Sequence, residues 1–262
     1  MRAGVMVQSV ERAIRILQCF TKEKPELRLK DITEELDLNK STVHGLLNTL
    51  KQHGLLQQND ETQKYRLGWA ILEMGSCLLS SIDIRNVANP FIKELCAQTG
   101  ETVHLVILEG KDVVYIDKQE SNQSIRLFTS IGTRYPAYAT GVGKAILAYK
   151  LPESLMQHLP DTLVRLTPTT ITNLEAMREC LAEVRRTGYA IDKEENLPGL
   201  SCVAAPIFDH TNKVAAAISV AGPSTRITPE RIPELVEVVI GAARQISIHL
   251  GCRDSNGKQI LG

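Results

Sequence analysis

Residues 39–52 read NKSTVHGLLNTLKQ, and their spacing decides the first part of the fold. Val43, Leu46, Leu47 and Leu50 recur at i, i+3, i+4 and i+7, so one face of a helix is apolar and turns inward. The other face carries Lys40, Ser41, His44, Gly45, Asn48 and Gln52, rich in hydrogen-bond donors and free of acids. Upstream, Leu29–Leu36 (LKDITEEL) reads as a second short helix that starts at Lys30 or Asp31, with Ile32, Leu36 and Leu38 facing the core. The join Asp37-Leu38-Asn39 is short, and Asn39 is a good N-cap residue. Two short helices across so tight a turn predict a helix-turn-helix, whose second helix enters the major groove of DNA.

Charge agrees with that reading. No Asp or Glu lies between Asp37 and Asp60, while Lys40, His44, Lys51 and His53 fall inside the window. A face that approaches phosphate should look like this. Leu55–Gln58, a turn at Asn59–Thr62, and Lys64–Gly68 then predict a β-hairpin, the wing, with Gln63, Lys64 and Arg66 able to reach sugar-phosphate. The candidate DNA-contacting residues are Lys40, Ser41, Thr42, His44, Gly45, Asn48, Lys64 and Arg66. A plain amphipathic subdomain with a solvated polar face would need the turn, the acid-free face and the hairpin to coincide by chance. Before these elements, Ser9 is expected to cap a helix whose Val10, Ala13, Ile14, Leu17 and Phe20 face inward.

The whole chain bounds the answer. Its 262 residues give room for two modest domains, and its formal net charge of zero excludes a bulk polycation. Any nucleic-acid contact must come from a local patch. The six cysteines are scattered, with no Cys-x-x-Cys spacing, and read as reduced thiols; the six histidines lack metal-ligand spacing. No metal or cofactor is expected. Without a signal peptide or a long apolar run, the expectation is a soluble, cytoplasmic protein with no membrane partner.

After the wing, Trp69–Ser81 (WAILEMGSCLLSS) reads as a mostly apolar helix holding the only tryptophan. It buries itself either in a two-fold partner, which would set two recognition helices one DNA turn apart, or on its own second domain. Val87–Thr99 is another helix, closed by Gly100. Thr102–Leu108 and Val113–Lys118 form a hairpin, and Ser124–Thr129 is a third strand. Gly141–Tyr149 starts a helix, Pro152–Leu159 is a short one, and Asn173–Thr187 is amphipathic and stopped by Gly188. Cys202–Phe208 and Val214–Ala221 are strands, and Thr228-Pro229 opens a last helix. Hairpins with helices between and after them predict an α+β domain, an antiparallel sheet with helices packed on it.

Two stretches of this second half resemble ligand loops. In Tyr138–Ala145 (YATGVGKA), the N–H groups of a helix start could hold a carboxylate or phosphate, although Tyr138 and Ala145 break the P-loop pattern. In Gly188–Ala205, Asp192, Glu194 and Glu195 precede a Pro-Gly turn and Cys202; acids in such a connector are more often simply solvated. Gly199-Leu200-Ser201-Cys202-Val203 has the outline of a nucleophile elbow but lacks its closing glycine, and sequence places no histidine near Cys202. An enzyme is therefore not expected.

Together, Ser9–Ile14 (SVERAI), Asn39–His44 (NKSTVH), Lys64–Gly68 (KYRLG), Ala139–Ala145 (ATGVGKA) and Gly199–Pro206 (GLSCVAAP) resemble the IclR family of bacterial transcriptional regulators. The resemblance runs in order over about residues 8 to 250. It implies an N-terminal winged helix-turn-helix (1–68), a linker helix (69–82), a C-terminal GAF-like effector-binding domain with an antiparallel sheet (83–252) and a disordered tail (253–262). It also implies a homodimer or dimer of dimers that binds double-stranded operator DNA near a metabolic operon. The implied effector is a small organic or sugar acid, and repression is the expected sign.

Carried over position by position, the implied effector contacts are Leu127, Gly141, Val142, Asp192, Leu200, Cys202 and Ser219. The chain departs from the pattern at Ala221, where some members place a second serine. A further expectation is that Asp192 accepts a hydrogen bond from a ligand hydroxyl while the Gly141–Gly143 amides hold the ligand carboxylate. The rival readings are a metabolite-binding protein with non-specific DNA contacts, and an enzyme that uses Cys202.

Overall fold

The computed structural model describes residues 7–21, 23–80, 83–123 and 129–252, with backbone alone for 78–80 and 83. The implied contact Leu127 and most of the expected strand 124–129 lie outside these residues, as does the expected tail 253–262. The chain divides into two compact units, Met1–Ser81 and Ile82–Gly262.

The first unit runs α1 (Gln8–Gln18), α2 (Leu29–Leu36), α3 (Lys40–Gln52), β1 (Leu56–Gln58), β2 (Tyr65–Leu67) and α4 (Trp69–Ser80). Asp37 closes α2 in the left-handed region at φ 52°, and Asn39 Oδ1 accepts from Thr42 N at 2.9 Å to open α3. The turn is thus held by one strained residue and one cap. β1 and β2 pair antiparallel, and Tyr65 also bridges to Leu27. The wing tip is an Asx turn in which Asn59 Oδ1 accepts from the amides of Glu61 and Thr62. Gly68 is required by space, because a Cβ there would lie 2.0 Å from Gly54 O.

Ile16, Phe20, Ile32, Leu36, Val43, Leu47, Leu50, Leu56 and Tyr65 form the core of this unit. The expectation for α1 needs correcting twice. The helix begins at Gln8 with no side-chain cap, so Ser9 is not the cap residue. Ile16 is its buried anchor, with Ala13, Leu17 and Phe20 packed beside it as expected, whereas Val10 and Ile14 are exposed. The helix is apolar on two sides, and spacing alone cannot choose between them.

The second unit runs α5 (Asp83–Thr99), β3 (Thr102–Glu109), β4 (Asp112–Gln119), β5 (Arg134–Pro136), a 3-10 turn (Ala137–Ala139), α6 (Gly141–Leu147) and α7 (Pro152–Leu155). It continues through α8 (Leu174–Thr187), β6 (Ala190–Lys193), β7 (Leu200–Phe208), β8 (Val214–Pro223) and α9 (Ile232–His249). α5 begins four residues before the expected Val87 and carries Pro90 inside it. β5 and β6, both short, carry no strand signal of their own in the sequence.

All strand pairs in this unit are antiparallel, and the six strands lie in the order β5-β4-β3-β8-β7-β6. Both faces are covered, so β7 and β8 read as near-continuous apolar runs rather than alternating ones. Val103, Leu105, Val203, Ala205, Ile218 and Val220 pack with Ile92 and Leu95 of α5 and with Leu235, Val239 and Ile246 of α9. Val106, Ala204 and Ala217 face the other way, with Ile146 of α6 and Met177 and Leu181 of α8. Alanines at the centre of β7 and β8 let α6 approach closely. Gly143 completes that approach, since a Cβ there would meet Ala137 O at 2.0 Å.

Candidate nucleic-acid interface and ligand cleft

α3 presents Lys40, Ser41, His44, Gly45 and Asn48 as exposed residues; Thr42 is half-buried and its amide is held by the Asn39 cap. Ser41 Oγ also donates to Asn39 Oδ1 at 2.9 Å. The side chains of Asn48 and His44 meet one turn apart, Nδ2 to Nδ1, at 3.3 Å. The wing is tied to this face where Lys51 Nζ donates to Gln58 Oε1 at 3.2 Å. Arg66 is exposed and braced across the hairpin, its Nε donating to Gln57 Oε1 at 3.2 Å, while Lys64 is half-buried. Six of the eight candidates, all but Thr42 and Lys64, thus lie open, with cations on both helix and wing and no acid on α3. Such a surface can bind a polyanion.

In the second unit, registered strand pairs set four polar side chains in a row. His104 on β3 pairs with Ser219 on β8. Cys202 on β7 pairs with Ala221 on one side and with Asp192 on β6 on the other. Tyr115, Tyr135, Thr129, Thr140, Val142, Asn196, Leu197 and Leu200 close the walls around them. The free space between these side chains is narrow. This cleft is small, mostly buried and lined by a few convergent polar groups, as ligand sites are.

Val142, Asp192, Leu200, Cys202 and Ser219 therefore come together, and Gly141 stands against them: a Cβ on it would lie 2.7 Å from Cys202 Sγ. His104 lines the cleft and hydrogen-bonds through Nε2 to Thr129 Oγ1 at 2.7 Å. Period two would have revealed it, because His104 shares a strand face with Val106 and Val106 packs under α6. Tyr115, Tyr135, Asn196 and Leu197 carry no local signal, since distant elements deliver them. Ala221, where the chain departs from the family pattern, also lines the cleft.

Two expectations about this region are corrected. Asp192 and Glu195 are buried, not solvated. The amide of Gly143 is already engaged, donating to Thr140 Oγ1 at 3.1 Å. It is not open for a ligand carboxylate. Lys144, only 1% exposed, joins Glu195 Oε1 and, at 2.8 Å, Ile191 O.

Burial sets the charges. It pushes the Asp192 carboxyl up to about 7, against the Glu195 and Gly141 amides and the Lys144 ammonium, which favour ionisation. It pushes His104 down to about 3, with Lys118 adding to the effect, so the ring is neutral. Burial, and then the neighbouring Asp192, raise the Cys202 thiol, which removes its value as a nucleophile.

A winged helix-turn-helix followed by an α+β unit with an enclosed polar cleft defines a class, the ligand-domain transcriptional regulators that bind DNA. Residues 9–60 match the IclR helix-turn-helix domain, and residues 77–248 match the C-terminal domain of the bacterial transcriptional regulator IclR. The chain belongs to the IclR family. It is 40% identical over 248 residues to the HTH-type transcriptional regulator XynR of Escherichia coli, covering 94% of this chain and 98% of that one. With the HTH-type transcriptional repressor AllR of Klebsiella pneumoniae, identity is 38% over 94% of this chain and 91% of the relative. The crystal structure of an IclR homologue from Microbacterium hydrocarbonoxydans, complexed with 4-hydroxybenzoate, superposes with a TM-score of 0.81. Its identity is 26%, over 93% of this chain and 99% of that one. Like these relatives, the chain is a DNA-binding regulator of transcription and not an enzyme. Among its described residues no helix is long and apolar enough to cross a membrane.

Proposed function

We propose that this regulator is a cytoplasmic repressor of a metabolic operon, released from its operator by a small carboxylic acid bound in the cleft. The observation that carries the reading is the cleft itself, where His104, Asp192, Cys202 and Ser219 converge from four adjacent strands behind the wall made by α6. The 4-hydroxybenzoate held by the Microbacterium homologue supports an acid as the ligand class, and the repressor AllR supports the sign of regulation.

Lys40 and Ser41 meet phosphate at the positive end of α3, His44, Gly45 and Asn48 face base edges, and Lys64 and Arg66 hold the flanking backbone. The ligand's polar atoms are met by Asp192, Ser219, Cys202, His104 and the tyrosine hydroxyls, with Gly141, Val142 and Leu200 as the packing wall. α4 carries Trp69 (67% exposed), Leu72 and Met74 as exposed apolar side chains, and a second copy of the chain covers them in a homodimer. The effector acts by binding two arrangements of the DNA-reading heads with different affinity, a coupling of typically about 1–3 kcal/mol.

The test is an anisotropy titration of the purified protein against DNA from its own upstream region, with unrelated DNA as control, followed by a panel of small acids. Preferential binding that one acid weakens is the expected result. Binding to both DNAs alike, with a steep salt slope, would point to the non-specific reading instead.

A further inference from the structure

Behind the cleft lies a buried charge cluster in which Lys144 pairs with Glu195 and is the one cation near Asp192 among the described residues. Lys144 of α6 reaches Glu195, in the turn after β6, and the carbonyl oxygen of Ile191. Glu195 N in turn donates to Asp192 Oδ1 at 2.7 Å, so the two acids are held side by side. Glu195 Oε2 is buried and finds no partner among the described residues. The other groups facing Asp192 are the Gly141 amide from α6, the Cys202 thiol from β7 and, further off, the Tyr115 hydroxyl from β4, and none of these is a cation. No Lys or Arg stands among the described residues that line the cleft.

With both acids ionised, this cluster already carries one uncompensated negative charge. An entering carboxylate would make it two in a space with little water, and like charges so placed cannot all remain ionised. Resting on the acid-effector reading above, we propose that the cleft takes up its carboxylic acid together with one proton, which the ligand carboxyl and Asp192 share in a short carboxyl–carboxylate hydrogen bond. The proton comes from solvent and sits between the two oxygens, so no bond beyond the O–H is made or broken. Burial already pushes Asp192 up to about 7, and a second carboxylate against it raises it further. The specificity consequence is that monocarboxylates fit and dicarboxylates do not, because each further carboxylate demands a further proton.

The experiment is isothermal titration calorimetry of the full-length protein with glycolate, glycerate, gluconate and 4-hydroxybenzoate, each beside its uncharged amide. Each is run at about pH 8 in two buffers that differ in ionisation enthalpy. The expected result is that at least one acid binds with uptake of nearly one proton, and that its affinity falls about tenfold per pH unit above the range where Asp192 titrates. Asp192→Asn should lose that uptake and that slope. An acid that binds with no proton uptake overturns the proton linkage and leaves the acid-effector reading standing. Amides that bind where acids do not, or an absence of binding by all four acids, overturn both.

Discussion

The side-chain amide of Asn48 lies 3.3 Å from Nδ1 of His44, one turn earlier on the exposed face of α3. With Nδ1 accepting, His44 braces the Asn48 side-chain amide on this face. Asn48→Ala should relax base preference at one operator position by about 1–3 kcal/mol. Arg66→Ala should weaken all sequences alike and lower the salt slope by about one. Binding selections with each variant across randomised operator positions check this, and identical profiles for the two would refute the division of roles.

Gly45 sits mid-helix and exposed, and a Cβ there would meet nothing within 4 Å. The fold therefore does not need it. Gly45→Ala should stabilise the protein by roughly 0.5–1 kcal/mol through helix propensity while weakening operator affinity. Urea denaturation and DNA titration of the same sample read the two effects. A gain in stability with unchanged affinity would show that the backbone does not approach the groove here.

Lys144 and Glu195 tie α6 to the turn after β6. Lys144→Met leaves a buried carboxylate pair without its cation and should cost about 3–5 kcal/mol, whereas pairing it with Glu195→Leu should recover most of that loss. A double-mutant cycle by denaturant unfolding measures the coupling, and additive losses would contradict the pairing.

Asp192 and His104 pull the pH dependence of stability in opposite directions. The folded carboxyl binds its proton up to about 7, against 3.8 for an ordinary one, so its stabilising effect is complete below about pH 4 and lost as pH rises to about 7. His104 stays neutral down to about 3, so the unfolded chain takes up a proton first and stability is lost as pH falls from 6.5 toward 3. Relative to the parent, Asp192→Asn should gain stability as pH rises across its window, on the order of a few kcal/mol. His104→Gln should gain as pH falls across its own. Unfolding free energies from about pH 4 to about pH 8 check both slopes.

Trp69, on the exposed apolar side of α4, is the residue a dimer would bury. Trp69→Glu should shift sedimentation toward the monomer and weaken operator binding well beyond any loss of fold stability. Unchanged sedimentation would place the interface elsewhere.

The two halves of the chain differed in legibility. α2, its turn, α3 and the wing were readable from residues within a few positions of one another: Asn39 as cap, Val43 to Leu50 as stripe, Asn59 as turn. α1 was less clear, because Val10 and Ile14 form as good a stripe as the Ile16 side that the core accepts. In the second unit the long helices and strands announced themselves, but β5 and β6 are three and four residues long and exist only because β4 and β7 offer them an edge. The family resemblance supplied most of the cleft residues, and the chain's own local pattern supplied few.

The helix-turn-helix, its acid-free face and the α+β character of the second unit follow from neighbouring residues alone, because periodicity, capping and charge are short-range properties. The cleft arises from long-range strand pairing. The strand order β3-β8-β7-β6 sets His104 beside Ser219, and Cys202 beside Asp192, across as many as 115 positions of chain (219 less 104). Tertiary packing also decided the charges. Lys144 is a helix-entry lysine in the sequence and a buried counter-ion in the fold, and Asp192 looks like a solvated acid until burial makes its proton hard to remove.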